Sequence, residues 1–180
     1  ATTCVVMPAP QGDISLVQTQ DTRTFSWDDP LSIAHDAMQM IGLDFMTSIV
    51  ESKTPPPPIA MAIGMSGVEK VDAGYARFGT HIGGWQMNTS GAIHGGLIAT
   101  LCDSALGCAV HTTMPKGMAY TTVELNVSFV RPVTPTVKHL YADATVLHSG
   151  NQIATAEAKV IDDGGILYAH ATTTCLVFPI

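Results

Sequence analysis

Asn88, His94, Gly95, Gly96 and Asp103 fall within one stretch, NTSGAIHGGLIATLCD over 88–103, and their types and spacing suit acyl chemistry. The stretch reads as a polar loop, a His-Gly-Gly junction and then a helix over about 95–112, apolar nearly all round except for one carboxylate. A helix start presents backbone N–H groups without intrahelical partners and carries the positive end of the aligned peptide dipoles. Glycine lets another group approach that backbone closely. Asp103 sits two turns further on among Leu101, Cys102, Ala105 and Leu106, where an ionised carboxylate costs free energy unless something stabilises it. A helix end that binds an electrophile and a buried carboxylate are the two parts needed to hydrolyse an activated acyl group.

The elements that must position these residues are legible in outline. Residues 1–24 show no sustained period and read as an arm. Asp28-Asp29-Pro30 is a helix start, with Asp as the cap and Pro at the first helical position. Ala34, Met38, Ile41, Phe45 and Ile49 then keep helical spacing, which Gly42 divides into two shorter helices. Pro55 to Pro58 are expected to run extended. Val68–Val71 and Tyr75–Thr80 read as strands around Asp72-Ala73-Gly74. After the apolar helix, period-two alternation takes over. Val123, Leu125, Val127 and Phe129 face one way, and Thr122, Glu124, Asn126 and Ser128 the other, with similar alternation over 137–147, 152–161 and 166–178. The short connectors, 132–135, 149–151 and 162–165, favour antiparallel neighbours. Small residues recur on one face of the later strands: Ala142, Ala144, Ala154, Ala156, Ala158, Ala169 and Ala171. That pattern predicts an α+β arrangement in which an antiparallel sheet wraps a central apolar helix.

Composition narrows the function. The chain has 180 residues and a formal charge of −7, from 15 acidic and 8 basic side chains. Such a surface repels a nucleic-acid backbone. Apolar runs are too short for a membrane-spanning helix, and the first residues carry no signal-peptide pattern, so a soluble, cytoplasmic protein is expected. Cys4, Cys102, Cys108 and Cys175 and the seven histidines follow no metal-ligand spacing. Neither a metal nor another cofactor is expected. His35 and His111 read as surface or cap residues.

On Asn88, Gly91, His94-Gly95-Gly96, Asp103, the strand from Thr121 to Phe129 and Arg131-Pro132, the chain resembles the hotdog-fold acyl-CoA thioesterases of the phenylacetate-degradation type. The family spacing of six residues from Asn to His and nine from His to the acidic residue is kept. The resemblance implies a lead-in over 1–54 and a hotdog thioesterase domain over 55–180. It implies that the Gly95 N–H holds the thioester carbonyl, that Asn88 orients the carbonyl or the attacking water, and that Asp103 is the general base or the nucleophile. Thr122, with Thr121 as the alternative register, would assist at the next strand. His94 and Gly96 would line the site. Relatives often carry a basic residue in the turn where this chain has Asn151; Arg131, Lys116 or Lys138 would then meet the CoA phosphates. Met38, Met40, Met46, Met61 and Met65 either line an adaptable acyl pocket or pack the core.

A substrate of small aromatic or medium-chain acyl-CoA type follows from that resemblance, with a homodimer or a tetramer built from dimers. Gly95 and Asp103 are eight residues apart on one helix, about 12 Å, so one carbonyl cannot touch both within a chain. Two antiparallel helices of a two-fold dimer would bring Gly95 of one beside Asp103 of the other. The alternatives at this level are a hotdog dehydratase or hydratase and an acyl-CoA-binding sensor without catalysis.

Overall fold

A computed structural model describes residues 21–180; the arm reading of 1–20 and Cys4 lie outside the described residues. Asp29 caps the first helix, α1 (Pro30–Gln39), its Oδ1 accepting the Leu31 N–H at 3.0 Å, with Pro30 at the first helical position. The helical period then breaks at Met40–Ile41 and resumes as α2 (Gly42–Val50). Gly42 is required there by close approach. Its N–H donates to the Met114 carbonyl at 2.9 Å, and a Cβ would collide with the carbonyl oxygen of His111. The proline run is extended only as far as Pro57, because Pro58 opens a further helix, α3 (Pro58–Ile63). Proline suits that first helical position, where an N–H would lack a partner anyway. Gly64, at φ +72°, ends α3 in the left-handed conformation.

Six strands follow in two groups. The hairpin β1 (Met65–Asp72) and β2 (Tyr75–His81) precedes the long helix α4 (Gly95–His111). After it come β3 (Met118–Phe129), β4 (His139–Ser149), β5 (Ile153–Asp162) and β6 (Leu167–Pro179). They form one antiparallel sheet in the order β1-β2-β4-β5-β6-β3. This is the α+β hotdog fold, a curved sheet around a central helix, with helices α1 and α2 leading in.

The alanines of the later strands form the floor under α4. Ala76, Ala144, Ala158 and Ala171 are register partners across β2, β4, β5 and β6, and all are buried. A parallel row runs Phe78, Ala142, Val160 and Ala169. Small side chains along the axis leave room for Leu101, Cys102, Ala105, Leu106, Ala109 and Val110, each fully buried. Burying a leucine of this kind contributes about 1.5–3 kcal/mol relative to leaving it in water.

One expected neighbour pair is absent. β3 pairs with β6 and not with β4, although the proline-rich connector between β3 and β4 is short. The connector is held elsewhere, since Val133 is 1% exposed and its carbonyl accepts the Ile93 N–H at 2.9 Å. It therefore carries the chain past the start of α4 to the opposite side of the sheet. β3 is left as an edge strand. Of its expected apolar face, Val127 and Phe129 are half-buried, whereas Val123 is 59% and Leu125 36% exposed. A bulge between Thr122 and Glu124 breaks the alternation.

Gly42→Ala tests the close approach of α2 to the end of α4. Alanine is the better helix former by about 1 kcal/mol, yet the collision with the His111 carbonyl should lower unfolding stability by about 1–3 kcal/mol. A urea midpoint that falls without a change of slope is the expected result.

Candidate active site

The junction before α4 is built from hydrogen bonds of two side chains and the backbone. Asn88 Oδ1 accepts from the Ser90 N–H at 2.9 Å, from Ser90 Oγ at 2.6 Å and from the Ala92 N–H at 3.4 Å, so the amide oxygen folds the 88–92 loop. Its amide NH₂ remains as a donor. Gly91 takes φ +79° in this loop, a conformation that favours glycine. The His94 N–H donates to the Gln86 carbonyl at 2.9 Å. His94 is the N-cap of α4, with Nδ1 accepting the Gly96 N–H at 2.9 Å. An Nδ1 that accepts places the proton of a neutral ring on Nε2. The N–H of Gly95 has no acceptor among the described residues, which leaves a donor at the positive end of a 17-residue helix. A Cβ on Gly95 would stand 3.4 Å from the ring of Phe129, and one on Gly96 2.9 Å from His94 Nδ1.

Asp103 lies half-buried two turns along the same helix. Thr122, from β3, donates its hydroxyl to Asp103 Oδ1 at 3.1 Å. Among the described residues no donor reaches Oδ2. Both side chains open on a pocket of about 210 Å³, lined also by Ile59, Ala60, Met65, Phe78 and Tyr120. A second pocket, about 380 Å³, lies at the start of the helix against Ile63, Trp85, His94, Gly96, Leu97 and Thr100. Both therefore run along the seam between α3 and α4.

A polarising backbone donor at the start of the helix and a carboxylate held by a threonine at its middle thus stand on one helix. Residues 90–169 match the thioesterase superfamily. Over that segment the chain is similar to that superfamily. A Halobacterium salinarum protein provisionally named an esterase is 42% identical over 84 residues, which are 46% of this chain and 54% of that protein. The chain thus spans about half the length of the curated relative it matches. A phenylacetic acid degradation-related protein of Ralstonia eutropha JMP134 superposes with a TM-score of 0.65 at 26% identity, covering 73% of this chain and 98% of that one. A Streptococcus mutans UA159 protein solved bound to acetyl CoA superposes with a TM-score of 0.57, covering 63% of this chain and 88% of that one. At 23% identity, that second likeness is one of fold alone.

The structure brings Asp103 and Thr122 together and sets Asn88, His94, Gly95 and Gly96 apart from them. Thr121 is exposed and takes the opposite side of β3 from Thr122. Arg131 and Lys138 are exposed and, among the described residues, bond only to the carbonyls of Leu167 and Pro135, at 3.4 and 3.3 Å. Of the methionines, Met46 is core and Met65 lines the Asp103 pocket. His35 is exposed as expected. His111 is not a surface residue: its ring packs edge-on to Phe45, its Nε2 is buried without a partner among the described residues, and burial holds its pKa below the ordinary histidine value. Phe129 and Trp85 also wall the site. An aromatic residue at a strand end or in a loop carries no sequence signal of its own, so only the folded chain reveals them.

The thiols near the carboxylate are not nucleophiles. Burial, reinforced by the charge of Asp103, pushes the Cys102 and Cys108 thiols up to about 12 and raises that of Cys175. At pH 8 a thiol with pKa about 12 is thiolate only about one part in 10⁴. A Cys4→Ser variant should therefore react with an aromatic disulfide reagent at pH 8 at least ~10²-fold more slowly when folded than in denaturant. Rapid labelling of the folded form would contradict this burial.

Proposed function

We propose that the chain is an acyl-CoA thioesterase acting on small aromatic or medium-chain acyl groups, without a cofactor. The observation that carries this reading is the hydrogen bond from Thr122 to Asp103 at 3.1 Å, set against a Gly95 N–H at the start of the same helix that has no acceptor among the described residues. The thioesterase-superfamily match over 90–169 supports hydrolysis of a thioester. The acetyl CoA in the Streptococcus mutans neighbour supports CoA as the carrier.

The residues divide the work as follows. The Gly95 N–H hydrogen-bonds the thioester oxygen and stabilises the negative charge that grows there, a contribution typically worth ~10²–10³ in rate. The Asn88 amide donor aids the same oxygen or the incoming water. Thr122 ties down one oxygen of Asp103, so the other faces the reaction. As general base, Asp103 takes a proton from water while the water oxygen bonds to the acyl carbon. The C–S bond then breaks, and the proton passes to the departing thiolate, giving acid and free thiol. As nucleophile, Asp103 itself bonds to the acyl carbon while the C–S bond breaks and the thiolate leaves; water then cleaves the resulting anhydride, restoring the Asp103 carboxylate and giving the acid, with a proton from that water passing to the thiolate. The apolar pocket beside Asp103 receives the acyl group.

Eight residues of helix separate Gly95 from Asp103, about 12 Å. A two-fold dimer with antiparallel α4 helices completes each site, taking Asn88 and Gly95 from one protomer and Asp103 and Thr122 from its partner. A cytoplasmic setting goes with an acyl-CoA substrate, and no helix among the described residues is long and apolar enough to cross a membrane.

Asp103→Asn should lower turnover of acyl-CoA esters by at least ~10²-fold while leaving the melting temperature nearly unchanged. Thiol release at the wild-type rate would end the mechanism. Asn88→Ala and Asp103→Ala chains should each be nearly inactive alone. Refolded together, half the dimers are mixed, each with one intact and one doubly broken site, so activity should return to about a quarter of wild type. A well-folded mixture that stays inactive would place all four residues within one protomer.

A further inference from the structure

Trp85 is fixed in orientation yet left half in solvent. It is 49% exposed, a state in which a large ring ordinarily moves freely. Here three contacts hold it. A Cβ at Gly64 would collide with its six-membered edge, and one at Gly83 would stand 2.6 Å from Nε1, so two glycines give the indole its berth. The Arg23 guanidinium lies 3.9 Å from the ring centroid, a cation–π contact. Arg23 is itself anchored by two hydrogen bonds, to the Ala62 carbonyl at 2.6 Å and the Met61 carbonyl at 2.7 Å. These are carbonyls at the end of α3, where a helix lacks internal donors. Segment 21–25 thus straps the indole to α3.

The ring also walls the pocket at the start of α4, with Ile63, Met87, His94, Gly96, Leu97 and Thr100, whereas Arg23 is not part of that wall. The guanidinium therefore supports the ring from the side away from the pocket. Gln86, the other amide there, is spent on structure: it accepts from the Gly83 N–H at 2.9 Å and donates to the Ile63 carbonyl at 3.1 Å. What the pocket offers an occupant is a flat aromatic wall, aliphatic side chains and the Nε2–H of His94. It also adjoins the Gly95 N–H, which has no acceptor among the described residues. The pocket beside Asp103 differs, being enclosed by Phe78, Met65, Ala60 and Tyr120.

We infer that Trp85 forms the binding wall for the pantetheine arm of the thioester, with Arg23 as its positioning residue. This rests on the thioesterase reading above. The arm alternates methylene runs with amides, so its apolar segments lie on the indole while an amide carbonyl accepts from His94 Nε2. In the two-fold dimer proposed above, the acyl group enters the Asp103 pocket of the partner protomer, and the carbon–sulfur bond lies at Gly95 between that pocket and the indole.

The chain has two tryptophans, Trp27 and Trp85, so Trp27→Phe leaves Trp85 as the sole emitter. Titration of that variant with a non-hydrolysable acyl-pantetheine thioether should shift or quench the emission saturably, and the N-acetylcysteamine thioether of the same acyl group should not. In kinetics, Trp85→Ala should raise the KM of the acyl-pantetheine thioester, relative to the N-acetylcysteamine thioester, about fivefold with kcat changed less than twofold. Arg23→Ala should move the same ratio in the same direction, and Arg23→Lys should recover part of it. Unaltered emission, or a KM ratio unmoved in a well-folded Trp85→Ala variant, overturns the inference while wild-type hydrolysis leaves the thioesterase reading standing. A wild-type protein that hydrolyses no thioester yet shows the saturable emission change removes the activity and keeps the binding wall.

Discussion

A helix that is buried on most of its circumference needs a sheet shaped to receive it, and nearly every placement in this molecule answers that need. Five of the eight buried residues of α4 are Leu101, Cys102, Ala105, Leu106 and Val110, and a flat sheet with large inner side chains would hold the helix too far away to cover them. The alanine row through Ala76, Ala144, Ala158 and Ala171 lowers the floor along the helix axis. Larger residues, Phe78 and Val160 among them, stand beside that row and close in on the helix. Packing at interior density then fixes the helix in position, and with it the spacing between its first N–H and its single carboxylate.

The same burial explains why Asp103 has company. A carboxylate on this helix must point away from the sheet's apolar floor and toward a polar partner. β3 supplies one from Thr122, just before the bulge that interrupts pairing with β6. The bulge lets the strand turn its threonine toward α4 while Val123 turns outward. An edge strand carrying exposed Val123 and Leu125 is an open template for pairing.

The helix start, the carboxylate and the helix caps were legible because each is a local signal. Asp29-Pro30 and His94-Gly95-Gly96 announce their geometry in adjacent residues, and alternation marks β4, β5 and β6 within a few residues of their bounds. What stayed hidden depends on residues distant in sequence. Pro58 opens α3 because it falls at the first helical position, a distinction that a run of four prolines conceals. β3 reaches the far edge because Val133 is pinned beside Ile93, so connector length was a poor guide to pairing. Alternation along β3 named two faces without telling which the chain itself would cover. His111 and Trp85 acquire their surroundings only when α2 and segment 21–25 fold against them.

The closure of α2 over the end of α4 also links folding to protons. His111 is sealed beneath Phe45 with Nε2 unpaired and its pKa lowered by burial, so the folded protein resists the proton that an unfolded chain accepts near pH 6.5. Wherever the unfolded state binds more protons, stability rises with pH. The contribution of this histidine is therefore unopposed above that pH and is progressively eroded as acidity increases below it. Acidification makes the α2–α4 junction a point of weakness in the fold, and His111 packs against Tyr120, which lines the Asp103 pocket.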